Sequence, residues 1–236
     1  MNKGILYIVP TPIGNLEDIT LRAIRILKES DLIVCEDTRQ TLKLLSHLQI
    51  SKTLISFYTQ NQLRKIPQII SMLEQGKNIS LVSDCGTPAI SDPGYYLVKE
   101  VLKNNINVIS LPGPCALTTA LVGSGLPTDS FVFLGFLRKK TGKMKKELEE
   151  AKSVNKTIIF YESPHRIVKT VGTCQEVFGS DCNIVLGREL TKKFEEYIRG
   201  TISEVLENLK NREILGEFVI IISCTENKET DDEITA

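Results

Sequence analysis

The chain has 236 residues, 42% hydrophobic and 25% charged, with 29 Lys and Arg against 29 Asp and Glu. These are values of an ordinary globular protein and exclude a disordered chain, a collagen and a coiled coil. The longest apolar runs, such as FVIII at residues 218–222, are strand-sized and far short of the roughly 20 residues a membrane helix needs, so no membrane partner is expected.

Apolar periodicity predicts strands at residues 4–9, 31–35, 53–57, 79–83 and 107–111. Between and after them it predicts helices at 18–29, 38–48, 60–74, 94–103 and 115–122, with Gly76 stopping the third. Strands alternating with helices at this spacing imply a largely parallel, doubly wound sheet. The LPTDS segment at 126–130 marks a boundary, after which the pattern restarts. Strands follow at 131–135, 157–161, 183–188, 195–199 and 217–223, with helices at 143–152, 166–178 and 202–209. The expected architecture is α/β, with two α/β domains at 1–128 and 129–225. Residues 226–236 hold five acids and one Lys and read as an acidic disordered tail; the remainder carries +4.

Six Cys stand at positions 35, 85, 115, 174, 182 and 224 without a CxxC pair, and no charged start leads into a long apolar core. Reduced, buried thiols and a cytoplasmic protein are expected. Two His and no paired Cys argue against a zinc site, and no metal is expected.

Turn-rich segments follow four of the first-half strands: PTPIGN at 10–15, EDTR at 36–39, SDCGTPAISDPG at 83–94 and PGPC at 112–115. In an open parallel sheet those strand ends line one crevice, where ligands bind. Loops dense in Gly and Pro are stiff and admit close backbone approach to a ligand. None is GxGxxG or GxxxxGK[ST], which disfavours ordinary dinucleotide and nucleoside triphosphate binding. Four such loops carrying Asp37, Asp84 and Asp92 favour a functional crevice over plain turns. Cys85 and Cys115 fit small-residue packing better than nucleophilic roles.

In the second half, ESPHR at 162–166 and GRELTKK at 187–193 follow strands. His165 fits a cap or surface residue, while Arg166, Arg188, Lys192 and Lys193 would make a cationic wall. The absence of GxSxG disfavours a Ser-His-Asp hydrolase. Residues 138–146, RKKTGKMKK, hold six cations in nine positions. They are either a solvated helix start or a phosphate-backbone contact.

Taken in order, LYIVPTPIGNLEDIT at 6–20, EDTR at 36–39, SDCGTPAISDPG at 83–94, PGPCA at 112–116, FLGF at 133–136, ESPHR at 162–166 and RELTK at 188–192 resemble the ribosomal RNA ribose methyltransferases of the tetrapyrrole methylase superfamily. The resemblance runs over residues 4–222, and Cys85 departs from it where Ala is commoner. It implies two α/β domains of a non-Rossmann type with S-adenosyl-L-methionine in the inter-domain cleft, usually as a homodimer. It implies that Pro12, Ile13, Gly14, Asp84, Ile90, Cys115, Ala116 and Tyr161 surround the cofactor, with Gly86 in the same loop as Asp84 and Gly200 as a further position. The implied reaction is 2′-O-methylation of a cytidine in the decoding region of small-subunit (16S) ribosomal RNA, within the assembled small subunit.

A sulfonium makes its methyl group electrophilic, so such a reaction needs no metal. A ribose hydroxyl is a poor nucleophile, and a positioned base should contribute about a hundredfold or more. Candidates are Asp37 and Glu36, with Arg39 beside them; the same residues could form only a structural ion pair. Arg138, Lys139, Lys140, Lys143, Arg166, Arg188 and Lys192 are candidates for binding the RNA. Two other readings stay open. A tetrapyrrole methylase of the same fold would have no use for a long cationic strip. A non-enzymatic RNA-binding module would bind no cofactor.

Overall fold

The computed structural model describes residues 2–224, so the acidic tail at 226–236 lies outside the described residues. The chain divides into two compact units, Met1–Ala116 and Leu117–Ala236.

The first unit is built on β1 (Ile5–Ile8), β2 (Leu32–Cys35), β3 (Thr53–Ser56), β4 (Ile79–Val82) and β5 (Asn107–Ser110). They form one sheet in the order β3-β2-β4-β1-β5, every pair parallel. β2 and β4 are buried along their whole length, which is why they appear in the sequence as unbroken apolar runs rather than alternations. Helices α1 (Leu21–Glu29) and α2 (Thr38–His47) cover one face; α3 (Gln62–Glu74) and α4 (Tyr95–Lys103) cover the other.

Local chemistry sets the helix starts. A short 3-10 turn at Leu16–Asp18 occupies the beginning of the helix expected at 18–29. Thr20 then accepts the Ala23 N–H and opens α1, whose Ala23, Ile26 and Leu27 share the buried stripe. Leu27 is fully buried, and its truncation to Ala would cost about 2–5 kcal/mol.

The strand order fixes where a ligand can sit. The chain leaves β1 through α1 on one face and leaves β4 through α4 on the opposite face. Adjacent loops departing to opposite faces open a crevice at the carboxyl ends of β1 and β4.

The unit boundary falls one residue into α5 (Ala116–Ser124), and the second unit continues with β6 (Phe131–Phe136), α6 (Thr141–Lys152), β7 (Thr157–Glu162), α7 (Ile167–Phe178), β8 (Asn183–Arg188), β9 (Glu196–Thr201), α8 (Ile202–Lys210) and β10 (Phe218–Ser223). Its sheet runs β6-β7-β10-β8-β9, and only β6-β7 is parallel. The largely parallel arrangement thus holds for the first sheet and not the second. Residues 189–195 join β8 to β9 without a helix, so the chain must reverse, and β10 enters antiparallel between β7 and β8. Helices α6, α7 and α8 bury Leu148, Val171 and Leu206 against Ile158, Phe160 and Ile220 of that sheet.

Within the second unit, α5 is tied to β9. The Tyr197 hydroxyl donates to the Thr119 carbonyl at 3.0 Å, and Arg199 donates to the Ser124 and Gly123 carbonyls. These bonds explain why the compact units divide after Ala116, one helix ahead of residues 126–130.

Two cysteines correct the expectation of reduced thiols. Cys182 and Cys224 form a disulfide, while Cys35, Cys85, Cys115 and Cys174 are not in disulfides. The β8–β10 register pairs Asn183 with Ser223, which sets the two flanking cysteines 5.0 Å apart at Cα. The pairing spans 42 residues of sequence, and no spacing motif announces it.

Candidate active site

Three of the four turn-rich loops are knitted together at the carboxyl end of the first sheet. Thr11 and Gly86 exchange both backbone hydrogen bonds, at 2.9 and 3.1 Å. The buried Thr11 hydroxyl donates to the Ser83 carbonyl at 3.1 Å, and the Thr87 hydroxyl donates to the Pro114 carbonyl at 2.8 Å. Gly113 lies so close to Pro10 that a Cβ there would stand 2.6 Å from the proline Cβ. Of the residues expected around a cofactor, Pro12, Ile13, Gly14, Asp84, Gly86, Ile90, Cys115 and Ala116 are therefore carried by loops that contact one another or by the residues that follow them.

Gly86 is required there for two reasons. Its φ of +81° is a left-handed value, and an added Cβ would press on Ile13 Cγ2 at 3.1 Å. Ala89 and Ser91 also hold positive φ, 69° and 63°. Such strained positions cost of order 1–3 kcal/mol each and persist where surrounding structure enforces them, often at ligand sites. Ile90 between them is 37% exposed, while Ile13 is buried.

The EDTR loop joins this set through backbone. Asp84 accepts the Asp37 N–H at 2.9 Å. Asp37 in turn caps α2 by accepting the Arg39 N–H at 2.8 Å, and it takes the Arg39 guanidinium at 2.6 Å. The Arg39 hydrogen bonds hold its carboxyl down to about 2. Glu36, Asp84 and Asp92 behave oppositely. Burial raises Glu36, and the Asp84 and Asp37 charges add to it. Asp84 is raised by partial desolvation, which the Asp37 N–H only partly offsets. Burial pushes Asp92 up to about 6, the Glu36 charge adds to this, and a hydrogen bond with Ser83 pulls it part of the way back. Among the described residues these three carboxylates enter no ion pair. Desolvation and neighbouring carboxylates disfavour the charge of all three, and such a site suits a cation. The sequence places Asp92 in the loop without a role, because its burial has no sequence signature.

The remaining candidates belong to the second unit. Tyr161 lies on β7 and Gly200 on β9, strands separated by β10 and β8, so these two are not neighbours. At Gly200 a Cβ would meet Glu204 Oε2 at 2.8 Å. That carboxylate accepts the Thr201 N–H and completes a capping box on α8, so the glycine has a local structural reason.

The basic candidates separate into two groups. Arg166 contacts buried Glu162 at 3.3 Å and donates to the Leu137 and Arg138 carbonyls. Arg188 pairs with Glu196 and donates to the Leu215 carbonyl; Lys192 bridges Glu189 and Glu217, both at 2.9 Å. These three are engaged inside the second unit. Arg138, Lys139, Lys140 and Lys143 are exposed, and among the described residues they enter no ion pair. Lys145 and Lys146, in the same run, contact Glu176 and Glu150.

The model of the tetrapyrrole (corrin/porphyrin) methylases matches residues 5–206. With its parallel sheet, crevice loops and second α/β unit, the chain belongs to the tetrapyrrole methylase family. Its relatives within that family include three named ribosomal RNA small subunit methyltransferase I. The one from Hydrogenobaculum sp. (strain Y04AAS1) is 51% identical, covering 92% of this chain and 95% of its own. Those from Bacillus subtilis (strain 168) and Halalkalibacterium halodurans are 49% and 47% identical, covering 98% and 99% of this chain and 79% and 80% of their own. Among solved structures, diphthine synthase superposes with a TM-score of 0.72 at 13% identity, covering 94% of this chain and 90% of that one. Uroporphyrin-III C-methyl transferase from Thermus thermophilus, complexed with S-adenosyl homocysteine, gives 0.66 at 18% identity, covering 93% and 97%. These two share the fold.

Proposed function

We propose that the chain is an S-adenosylmethionine-dependent ribosomal RNA methyltransferase that modifies a cytidine 2′-oxygen in the decoding region of the small-subunit RNA. The observation that carries the reading is the near-half identity, over 98% of the chain, to the Bacillus subtilis relative of that name. The first-unit crevice fits the cofactor: unpaired Glu36, Asp84 and Asp92 suit a ligand with positive charge, and exposed Ile90 offers apolar surface beside them. Bound S-adenosylmethionine supplies an electrophilic methyl group.

The chain's own residues must hold the ribose hydroxyl in line and take its proton. Asp37 is poorly suited to the second task, because Arg39 holds its carboxyl at about 2. Glu36 is the better acceptor, since the burial that raises it also strengthens it as a base. Arg138, Lys139, Lys140 and Lys143 are the cations available to phosphates. The protein is proposed to act in the cytoplasm as a homodimer on the assembled subunit. Among the described residues no helix is long and apolar enough to cross a membrane.

Transfer of a labelled methyl group to small subunits, to naked RNA and to a precorrin-type acceptor tests this reading. Label is expected on RNA in one or both RNA arms. Label on the tetrapyrrole alone would replace the reading with a small-molecule methylase, and no cofactor binding at all would leave an RNA-binding module.

A further inference from the structure

Phe136 stands 59% exposed at the end of the edge strand β6. Exposed apolar residues are common on any protein, so exposure alone carries nothing. Its placement is what matters. Side chains alternate faces along a strand, so Phe133 and Phe136, three residues apart, would ordinarily point to opposite faces. The β6–β7 register shifts between them, with Gly135 at φ +64°. That irregularity turns Phe136 back toward Tyr161, on the face where Phe133 pairs with Ile159. The Tyr161 ring packs edge-on against both phenylalanines, with centroids 5.0 Å from Phe133 and 5.5 Å from Phe136. The next residue, Leu137, drops into the core on the other side.

The strand end is also held firmly. Arg166 donates to the carbonyls of Leu137 and Arg138 while contacting Glu162. Glu162 is almost fully buried and accepts the Thr170 hydroxyl at 2.6 Å and the Ser163 N–H at 2.8 Å. Two residues beyond the exposed ring begins the run of exposed cations Arg138, Lys139 and Lys140, none with an ion pair among the described residues. A backed, rigid aromatic face followed by unpaired cations is the combination that takes a base by stacking and its neighbouring phosphates by charge.

We infer that Phe136 is a stacking platform for an unpaired base of the RNA substrate, with Arg138, Lys139 and Lys140 taking the phosphates beside it. The inference rests on the proposed function for the identity of the RNA, and it names where a single-stranded segment docks.

The test uses the full chain and a single-stranded oligoribonucleotide carrying one 2-aminopurine, whose fluorescence falls on stacking. Phe136→Leu is expected to lose the quenching and about tenfold in oligonucleotide affinity, the scale of one base–aromatic stack. Phe136→Trp is expected to keep both. Phe194→Leu removes a ring that is 65% exposed in the loop between β8 and β9, away from β6, and is expected to change neither. S-adenosylmethionine affinity by calorimetry should stay at the wild-type value in Phe136→Leu. Unchanged quenching in Phe136→Leu overturns the inference. A fall in cofactor affinity overturns it in favour of a cofactor contact. A change in sedimentation mass overturns it in favour of a contact between two copies of the chain. A wild-type chain that quenches the probe through Phe136 yet methylates no RNA contradicts the proposed function and leaves the platform standing. Equal methylation KM for wild type and Phe136→Leu contradicts the platform alone.

Discussion

In the first unit, Glu36, Asp84 and Asp92 gather on loops joined by Thr11, Gly86, Thr87 and the Asp37 N–H, and none of the three enters an ion pair among the described residues, the Arg39 charge easing Asp84 only in part. In the second, Arg138, Lys139, Lys140 and Lys143 extend from the end of a strand into the first turn of α6 and enter no ion pair among the described residues, although the Arg138 N–H donates to Glu147; the better-buried Arg166, Arg188 and Lys192 are each matched to a carboxylate. Charged groups without an ion-pair partner that cluster in one place are available to ligands. On the proposed reading, the acidic crevice takes a small cationic ligand and the basic strip a polyanion.

The sharpest way to break this assignment is at Glu36. Glu36→Gln should lower methyl transfer by about a hundredfold or more, with much smaller change in S-adenosylmethionine affinity. Single-turnover rates and calorimetry on one preparation check both, and a near-normal rate would move the base elsewhere. Next in size is the basic strip. Replacing Arg138, Lys139, Lys140 and Lys143 together by Gln should weaken RNA binding at low salt and flatten the plot of log affinity against log salt by up to about 3. Lys145→Gln with Lys146→Gln, already paired to acids, should do far less. Equal slopes for the two sets would make the strip an ordinary solvated surface.

Asp92 sharpens the comparison through pH. Its folded pKa is raised to about 6, so the strain of its charge is absent at low pH and appears as pH rises through that value. Asp92→Asn should therefore stabilise the chain by about 1–2 kcal/mol near pH 8, after discounting for partial exposure, and the gain should vanish below about pH 4. Thermal melts across pH report this directly. The same sign predicts that S-adenosylmethionine affinity weakens as pH falls through about 6, because a cation prefers the ionised carboxylate. The smallest effect is expected at Asp37. Asp37→Asn keeps a good helix cap and loses an exposed ion pair, so transfer should fall by less than about fivefold.

Much of this arrangement is visible in the residue order. Pro- and Gly-dense segments after successive strands announce stiff loops at one sheet edge, and β2 and β4 announce themselves as buried parallel strands by continuous apolar runs. What the residue order lacks is pairing across distance. Arg188 and Lys192 look like a cationic wall until Glu196 and Glu217 are seen beside them. The disulfide depends on β10 lying next to β8, and that strand order is a tertiary outcome. Phe136 is hidden for a subtler reason: strict alternation puts it on the wrong face, and only the register shift at Gly135 corrects it.

The central claim is methyl transfer to a ribose of the small-subunit RNA, and nucleoside mass analysis tests it most directly. Small subunits lacking the modification are incubated with the purified chain and S-adenosylmethionine, and the RNA is then digested to nucleosides. The account predicts a gain of 2′-O-methylcytidine confined to one decoding-region fragment. A methyl group on a base, or label recovered only in a tetrapyrrole acceptor offered alongside, would contradict it.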